Sequence, residues 1–393
     1  MISVEEALAR VLALAPAEPE PRTVPLREAS GRVLVRDAVA GLTQPPFPAS
    51  AMDGYAIRDA DHRPGAVLAV SGTSAAGHSF TGGVGPGEAV RIFTGAPVPG
   101  GAERVVLQED VTYAEGRITL GPRIGTARHV RPAGQDFRRG DRLAAPRLLS
   151  PRDLALVAAM NLAEVTVARR PVVAILPTGD ELVMPGEAPR PDQIVASNVF
   201  GLAAMAEAAG AEARLLPIAR DSRESLTFAF GLAEDADLIL TVGGASVGDH
   251  DLVGPVSLDL GFERAFWSVA MRPGKPLMAG RRGRTVLLGL PGNPVSAIVC
   301  AHLFMRPLIA AMQGLPHRPD PVVRAELLAP VAANGPRAHY LRARFDRGRT
   351  AVHPFDRQDS ALLSVLAEAD ALIVLPPGAA ALVPGQIVDC LAL

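Results

Sequence analysis

The chain has 393 residues, 48% of them hydrophobic and 20% charged, with 39 Lys and Arg set against 41 Asp and Glu. That length predicts two to four domains rather than one core, and the apolar share is enough to fill them. A net charge of −2 excludes a general pull toward nucleic acid or acidic membranes, so any anion site has to be local.

The first element is a helix. Ser3 and Glu6 have capping-box spacing, and Ala7, Leu8, Val11 and Leu12 follow at helical intervals. From about residue 39 to 127 Gly and Pro are dense and the apolar runs are short (67–70, 89–93, 104–107), which predicts a small β domain, with a flexible insertion as the alternative. Ser150, Pro151 and Asp153 then supply an N-cap, a first-turn proline and a first-turn acid for a second helix. That helix returns the chain to the first segment.

From Pro171 the pattern alternates: strand 172–176, helix 199–209, strand 213–218, helix 226–233, strand 238–242. Asp221 and Glu224 stand at capping-box spacing before the second of these helices. The alternation predicts a doubly wound, mostly parallel α/β sheet. Further apolar stretches at 265–270 and 286–290 are expected in the same parallel sheet. The apolar run 295–312 reads as a helix broken at Arg306-Pro307, too short to span a membrane. After the Pro-rich segment 315–321, short strands (371–375 and 386–391 the clearest) predict a C-terminal β domain. The division is therefore 1–38 with 128–165 as a discontinuous linking domain, 39–127 inserted, 166–317 α/β and 318–393 β. Cys300 and Cys390 make no metal or redox spacing, which fits a reducing compartment, and Glu5 and Glu6 stand where a leader would be basic. A cytoplasmic protein is expected.

Four Gly/Pro loops follow apolar stretches: Pro177-Thr178-Gly179-Asp180-Glu181, Gly243-Gly244-Ala245-Ser246-Val247-Gly248-Asp249, Pro273-Gly274-Lys275-Pro276 and Pro291-Gly292-Asn293-Pro294. In one parallel sheet they converge at the carboxyl edge, where open α/β sheets bind ligands. Gly243 and Gly244 permit a nest of inward amides for an oxyanion, with Thr241 and Ser246 as hydroxyl donors. Asp180, Glu181, Asp249 and Asp251 are candidate oxygen ligands for Mg2+, although the first pair also suits a turn and the second pair a helix cap. Arg272 and Lys275 flank a Pro-Gly turn and suit a tetrahedral dianion. The eight histidines show no ligand spacing and read as surface or core residues. Together the loops describe a site for a phosphorylated ligand, a divalent metal and a second oxyanion. Gly244 to Gly248 also matches the Gly-x-Ser-x-Gly hydrolase elbow, with Asp259 and His302 or His317 as partners; Asp249-His250-Asp251 and Pro255 interrupt the helix this elbow requires.

Residues 45–56 (Pro-Pro-Phe-Pro-Ala-Ser-Ala-Met-Asp-Gly-Tyr-Ala), 91–99 (Arg-Ile-Phe-Thr-Gly-Ala-Pro-Val-Pro) and the loops 177–182, 243–251, 272–276 and 291–296 resemble, in one order along most of the chain, the molybdopterin molybdenumtransferase family, the bacterial counterpart of the gephyrin E domain. The resemblance implies the last step of molybdenum cofactor synthesis: adenylylated molybdopterin and molybdate give molybdenum-bound cofactor and AMP, with Mg2+ held by Glu181, Asp249 or Asp251. It implies an elongated homodimer in which Asp53 and Thr94 act on the partner's cleft, and a pterin-binding role for Thr178, Gly179, Asp180, Gly243, Gly244, Ser246, Gly248, Pro291, Gly292, Asn293 and Pro294. Asp136 and Asp221 match acidic family positions, so that Asp53, Thr94, Asp136, Glu181, Asp221, Asp251 and Lys275 form the expected catalytic set. Arg272, Arg342 and Ser360 are placed by it near molybdate. It also implies molybdopterin adenylyltransferase upstream and molybdoenzymes or cofactor-modifying proteins downstream. Without the resemblance, Asp53-Gly54 reads as a hairpin turn and Thr94-Gly95 as a loop start. The chain departs from the family at Arg272, usually Lys; at Ala245, usually Val; and at Asp359, usually Gly beside Ser360. A scaffold or carrier without transferase activity, the preceding adenylyltransferase, and tungstate in place of molybdate remain as alternatives.

Overall fold

The computed structural model describes residues 1–244 and 252–393. Its centre is a six-stranded sheet in the order Glu212–Leu215, Val172–Pro177, Leu238–Val242, Thr285–Leu290, Met278–Arg282, Glu263–Phe266. The first four strands are parallel and the last two antiparallel. Leu238–Val242 and Thr285–Leu290 are buried along their whole length, as near-continuous apolar runs require when helices cover both faces. One face packs on helices Asn198–Ala208, Pro294–Met312 and the N-terminal Val4–Leu12; the other packs on Arg223–Gly231 and Val253–Asp259.

The parallel sheet is smaller than expected at its right-hand end. The stretch 265–270 does not add a parallel strand: Glu263–Phe266 pairs antiparallel at the sheet edge, and Met271–Arg272 leaves the sheet to pair in parallel with Ala338 and His339. A β-rich apolar run shows that a strand is buried, not which neighbour it takes. The loop carrying Lys275 is consequently a bridge between the sheet and the last domain rather than a loop at the parallel edge. The helix 294–312 also differs from expectation, because it continues through Arg306-Pro307. A π-type turn over Ala301–Met305 precedes the proline, and such a turn absorbs the hydrogen bond that proline cannot donate. This helix is long and apolar enough to cross a membrane, yet 67% of it is buried within the fold. It is a core helix.

The C-terminal region closes a five-stranded barrel: Ala338–Phe345, Ala351–Pro354, Val322–Leu327, Ile387–Ala392 and Ala371–Leu375, the last pairing back on the first. Closure leaves no free edge. Residues between 54 and 120 form a separate six-stranded mixed sheet. Four strands, Pro21–Pro25, Glu164–Ala168, Val33–Leu34 and Arg147–Leu148, join the flanking segments. The helix after Ser150 starts with a complete capping box to Asp153. At Ser3 only half of the box forms: Ser3 Oγ accepts from the Glu6 amide, while the Glu6 carboxylate takes Arg10. The cap before Arg223 is Ser222, whose hydroxyl accepts from the Ser225 amide, so Asp221 is displaced from the capping role by its neighbour.

Candidate active site

Strand Val172–Pro177 is followed to one side by Glu212–Leu215 and to the other by Leu238–Val242. This is the topological switch point, where the loops leaving the two central strands diverge and open a crevice. A cleft of about 510 Å³ lies there, walled by Thr178, Gly179, Glu181, Asp221, Gly243, Gly244 and the loop Pro291-Gly292-Asn293-Pro294. Its far side is apolar: Leu182, Ile194 and Val195 come from two short paired strands. Ile194 is 60% exposed, an apolar surface open to a ring or chain of a ligand. Asn198 donates from Nδ2 to the Gly292 carbonyl at 2.7 Å and fixes the last loop to the first helix.

Gly243 has φ +100, and a Cβ there would stand 2.7 Å from the Thr178 carbonyl oxygen. Only glycine lets the two central strand ends approach so closely. Its amide is not free to hold an oxyanion, because it donates to the Leu290 carbonyl. The expected nest is therefore not formed by Gly243. Thr241 is fully buried, its hydroxyl has no partner among the described residues, and it is not among the residues that line the cleft. Ser246, Gly248, Asp249 and Asp251 lie outside the described residues. Asp180 is exposed and outside the cleft wall, where its carboxylate accepts from the Asp221 amide at 3.2 Å.

The Glu181 side chain lines the cleft and is in no ion pair among the described residues. Among those residues no three His, Cys, Asp or Glu side chains form a metal cage. The donor chemistry still fits Mg2+, which binds one or two carboxylates and completes its shell with water and substrate phosphate.

A second, smaller pocket of about 330 Å³ adjoins the first and shares Pro276 with it. It contains four cationic side chains, Arg272, Lys275, Arg337 and Arg342, with Asp359 as the single carboxylate. None of the four has a carboxylate within ion-pair distance among the described residues. Arg342 is 1% exposed; its Nη1 donates to the Leu362 carbonyl at 3.3 Å, and burial lowers its affinity for its proton. A desolvated, unpaired guanidinium is costly and calls for an anion. Ser360 stands at the junction of the two pockets: its Oγ accepts from Asn293 Nδ2 at 3.1 Å and its carbonyl accepts from the Val295 amide. Asp359, where the family has glycine, forms an Asx-type turn by accepting from the Ala361 amide at 2.8 Å. The substitution is accommodated locally.

Arg337 and His339 were not singled out by sequence reasoning, although Arg337, His339 and Arg342 fall within six residues of one strand entry. Burial and the charges of Arg272, Arg337 and Arg342 push the His339 imidazole down to about 4.

Asp53 is not in a hairpin. Gly54 opens a central strand pairing with Ile92 and Leu107, and Asp53 Oδ1 accepts from both the amide and the hydroxyl of Thr94, at 2.7 and 2.8 Å. These bonds hold its carboxyl below the usual carboxylate range. Asp136 lines a separate groove of about 500 Å³ with Pro45, Pro46, Phe47 and Gly95. In this single chain Asp53, Thr94 and Asp136 are apart from both pockets of the sheet domain. The hydrolase alternative finds no support among the described residues: Asp259 pairs with Arg223, and His302 is buried against Asp320 at 3.2 Å.

Three family models match successive stretches of the chain. Residues 2–161 match the MoeA N-terminal region (domain I and II), 174–311 a probable molybdopterin binding domain, and 324–393 the MoeA C-terminal region (domain IV). The chain is 36% identical over 375 residues, 91% of each sequence, to molybdopterin molybdenumtransferase 2 of Mycobacterium tuberculosis. The chain belongs to the molybdopterin molybdenumtransferase family. It is 35% identical to the Haemophilus influenzae molybdopterin molybdenumtransferase over 80% of this chain and 78% of that one. Across its whole length it is also similar to the crystal structure of the molybdopterin biosynthesis moeA protein of Pyrococcus horikoshii, with a TM-score of 0.85 at 28% identity and 99% of that chain covered. It is thus a transferase of molybdenum cofactor biosynthesis with the multidomain fold that the sequence predicts.

Proposed function

We propose that the chain inserts molybdenum from molybdate into adenylylated molybdopterin and releases AMP. The observation that carries this reading is the pairing of two pockets: a switch-point cleft with an apolar wall, and, across Pro276, a cationic pocket containing the buried and unpaired Arg342. The cleft suits a long ligand with rings and a phosphate bridge. The pocket suits a tetrahedral dianion, which satisfies the charges of Arg272, Lys275 and Arg342 at once.

In this reading Ile194, Val195 and Leu182 exclude water from one side of the bound pterin nucleotide, and Asn293 and Ser360 set the distance between its dithiolene end and the oxyanion. Holding both reactants in adjoining pockets makes metal transfer effectively intramolecular. Glu181, with Asp249 and Asp251, would hold Mg2+, which supplies positive charge for the leaving phosphate when bound. Lys275 adds charge at the pocket entrance. Asp53, Thr94 and Asp136 lie apart from the cleft in one chain, and we assign them to the partner's cleft in a homodimer. The protein then acts in the cytoplasm between an adenylyltransferase that supplies the activated pterin and molybdoenzymes or cofactor-modifying proteins that receive the product.

The test is AMP release from the full chain given adenylylated molybdopterin and Mg2+, with and without molybdate, followed by reconstitution of an apo-molybdoenzyme. Molybdate-dependent AMP release with active product supports the transferase. Binding of the pterin nucleotide without AMP release in either condition overturns it in favour of a carrier.

A further inference from the structure

The cationic pocket holds one imidazole among its Lys and Arg side chains. His339 enters the barrel on strand Ala338–Phe345 and stands in register opposite Arg272 of the bridging strand. It lines the pocket with Arg272, Lys275, Arg337 and Arg342. The other neighbours of its strand are Leu375 and Val374, which are apolar, and Tyr340, whose phenol is pushed up by burial and by Glu5 of the N-terminal helix. Asp359 is the only carboxylate among the pocket's lining residues. An empty pocket therefore keeps the imidazole neutral, since a further positive charge would face several others in a partly desolvated space.

We propose that His339 takes up a proton when a tetrahedral dianion enters this pocket and becomes a charged donor to it, so that oxyanion capture tightens as the pH falls. The inference rests on reading the pocket as the oxyanion site. Burial, with the charges of Arg272, Arg337 and Arg342, holds the imidazole down to about 4 in the absence of an anion; the two negative charges of a bound dianion offset the arginine field and favour the protonated ring against its burial. Return of the bound imidazole toward its ordinary value of 6.5 gives, by linkage, roughly tenfold tighter binding at about pH 5.5 than at about pH 7.5. The proton comes from solvent and is given back when the anion leaves. Transfer of the dianion out of the pocket would then return a neutral imidazole, which no longer attracts it. His339 in this sense couples occupancy to charge.

The experiment is titration calorimetry of the full-length protein with molybdate at micromolar concentration. It is run across that pH range and in two buffers of different ionisation enthalpy, with sulfate as a second probe whose charge is constant there. The expected result is a dissociation constant that falls about tenfold toward the acid end, with net proton uptake on binding. His339→Gln should remove both the slope and the uptake while retaining binding near neutrality, and Asp359→Asn should retain them. A wild-type slope of zero with no proton uptake overturns the inference and leaves the pocket assignment intact. A slope that persists in His339→Gln and disappears in Asp359→Asn overturns it in favour of the carboxylate. Absence of molybdate binding at every pH overturns the pocket assignment itself, and this inference with it. Proton uptake by the unmodified protein needs no variant, so a folding failure of His339→Gln does not protect the proposal.

Discussion

Replacing Arg342 by methionine tests whether the second pocket is built for an anion, because the substitution acts on stability and on binding in opposite directions. Arg342 is 1% exposed, has no carboxylate partner within ion-pair distance among the described residues, and donates one side-chain hydrogen bond, to Leu362. Its backbone is held independently: the Arg342 amide donates to Gln358 Oε1 and the Arg342 carbonyl accepts from Gln358 Nε2. Arg342→Met therefore removes the charge without dismantling the loop. Exchanging buried ionic groups for apolar ones of similar volume stabilises by about 1 to 4 kcal/mol in other proteins, and the lost hydrogen bond offsets about 1 kcal/mol. A net gain of up to about 3 kcal/mol follows, raising the melting temperature by roughly 2 to 4 °C for each kcal/mol gained. Molybdate binding should weaken by about 2 to 5 kcal/mol, which is roughly 30- to 5,000-fold. Scanning calorimetry without anion and titration calorimetry with it provide the two readings. A variant that melts lower and binds molybdate as the parent does would refute the reasoning, since Arg342 would then be a structural residue.

Two further substitutions test the scaffold. Asp153 is buried at the start of its helix; burial pushes its carboxyl up, and the stronger opposing pull of Ser150 and Arg147 brings it from 3.8 down to about 2. Its folded value is depressed, so its contribution of about 2.5 kcal/mol is complete above pH 4 and is lost as the pH falls from about 4 to 2. Urea unfolding across that range should show the loss in the parent and a flatter profile in Asp153→Asn, which starts lower at neutral pH. At Gly54 an added Cβ would stand 1.9 Å from the Val106 carbonyl oxygen, a backbone clash no rotamer relieves. Gly54→Ala should destabilise the mixed sheet by about 3 kcal/mol or more and increase proteolysis between residues 54 and 120, while leaving molybdate binding in the barrel pocket unchanged. Equal protease resistance in the two proteins would contradict that close approach.

The sheet domain was legible because its signals are local and agree with one another. Fully apolar strands, Gly/Pro loops after them and capped helices between them leave few topologies. The loops with Gly243 and Pro291 therefore fell where expected, at the carboxyl edge of the parallel strands. Misreadings arose where a residue's partner is remote in sequence. Strand 265–270 was assigned to the sheet because nothing local shows that Met271 and Arg272 pair with Ala338 and His339. One misreading was local instead: Asp221 lost its capping role to the adjacent Ser222, which offers the same chemistry one residue later. Asp53-Gly54 has hairpin chemistry, yet Gly54 is required by the Val106 backbone 52 residues on and Asp53 by Thr94. His339 was passed over because histidines were sought at metal-ligand spacing, whereas its setting is a cluster of guanidinium groups assembled from two domains.

That assembly explains why the barrel belongs to the site at all. The sheet alone supplies a crevice with Glu181 and Asp221 on its walls, an apolar side, and no Lys or Arg among its described lining residues. The barrel brings Arg337, His339 and Arg342, and Met271–Arg272 joins its sheet as an extra strand. Because the bridging strand continues directly into Pro273-Gly274-Lys275-Pro276, whose last residue walls both pockets, a shift of the barrel relative to the sheet must move Lys275 as well. The Asn293–Ser360 hydrogen bond ties the same two bodies from the other side. An oxyanion held between them is thus bound by two domains at once. Its affinity should therefore depend on their docking as well as on any one cation.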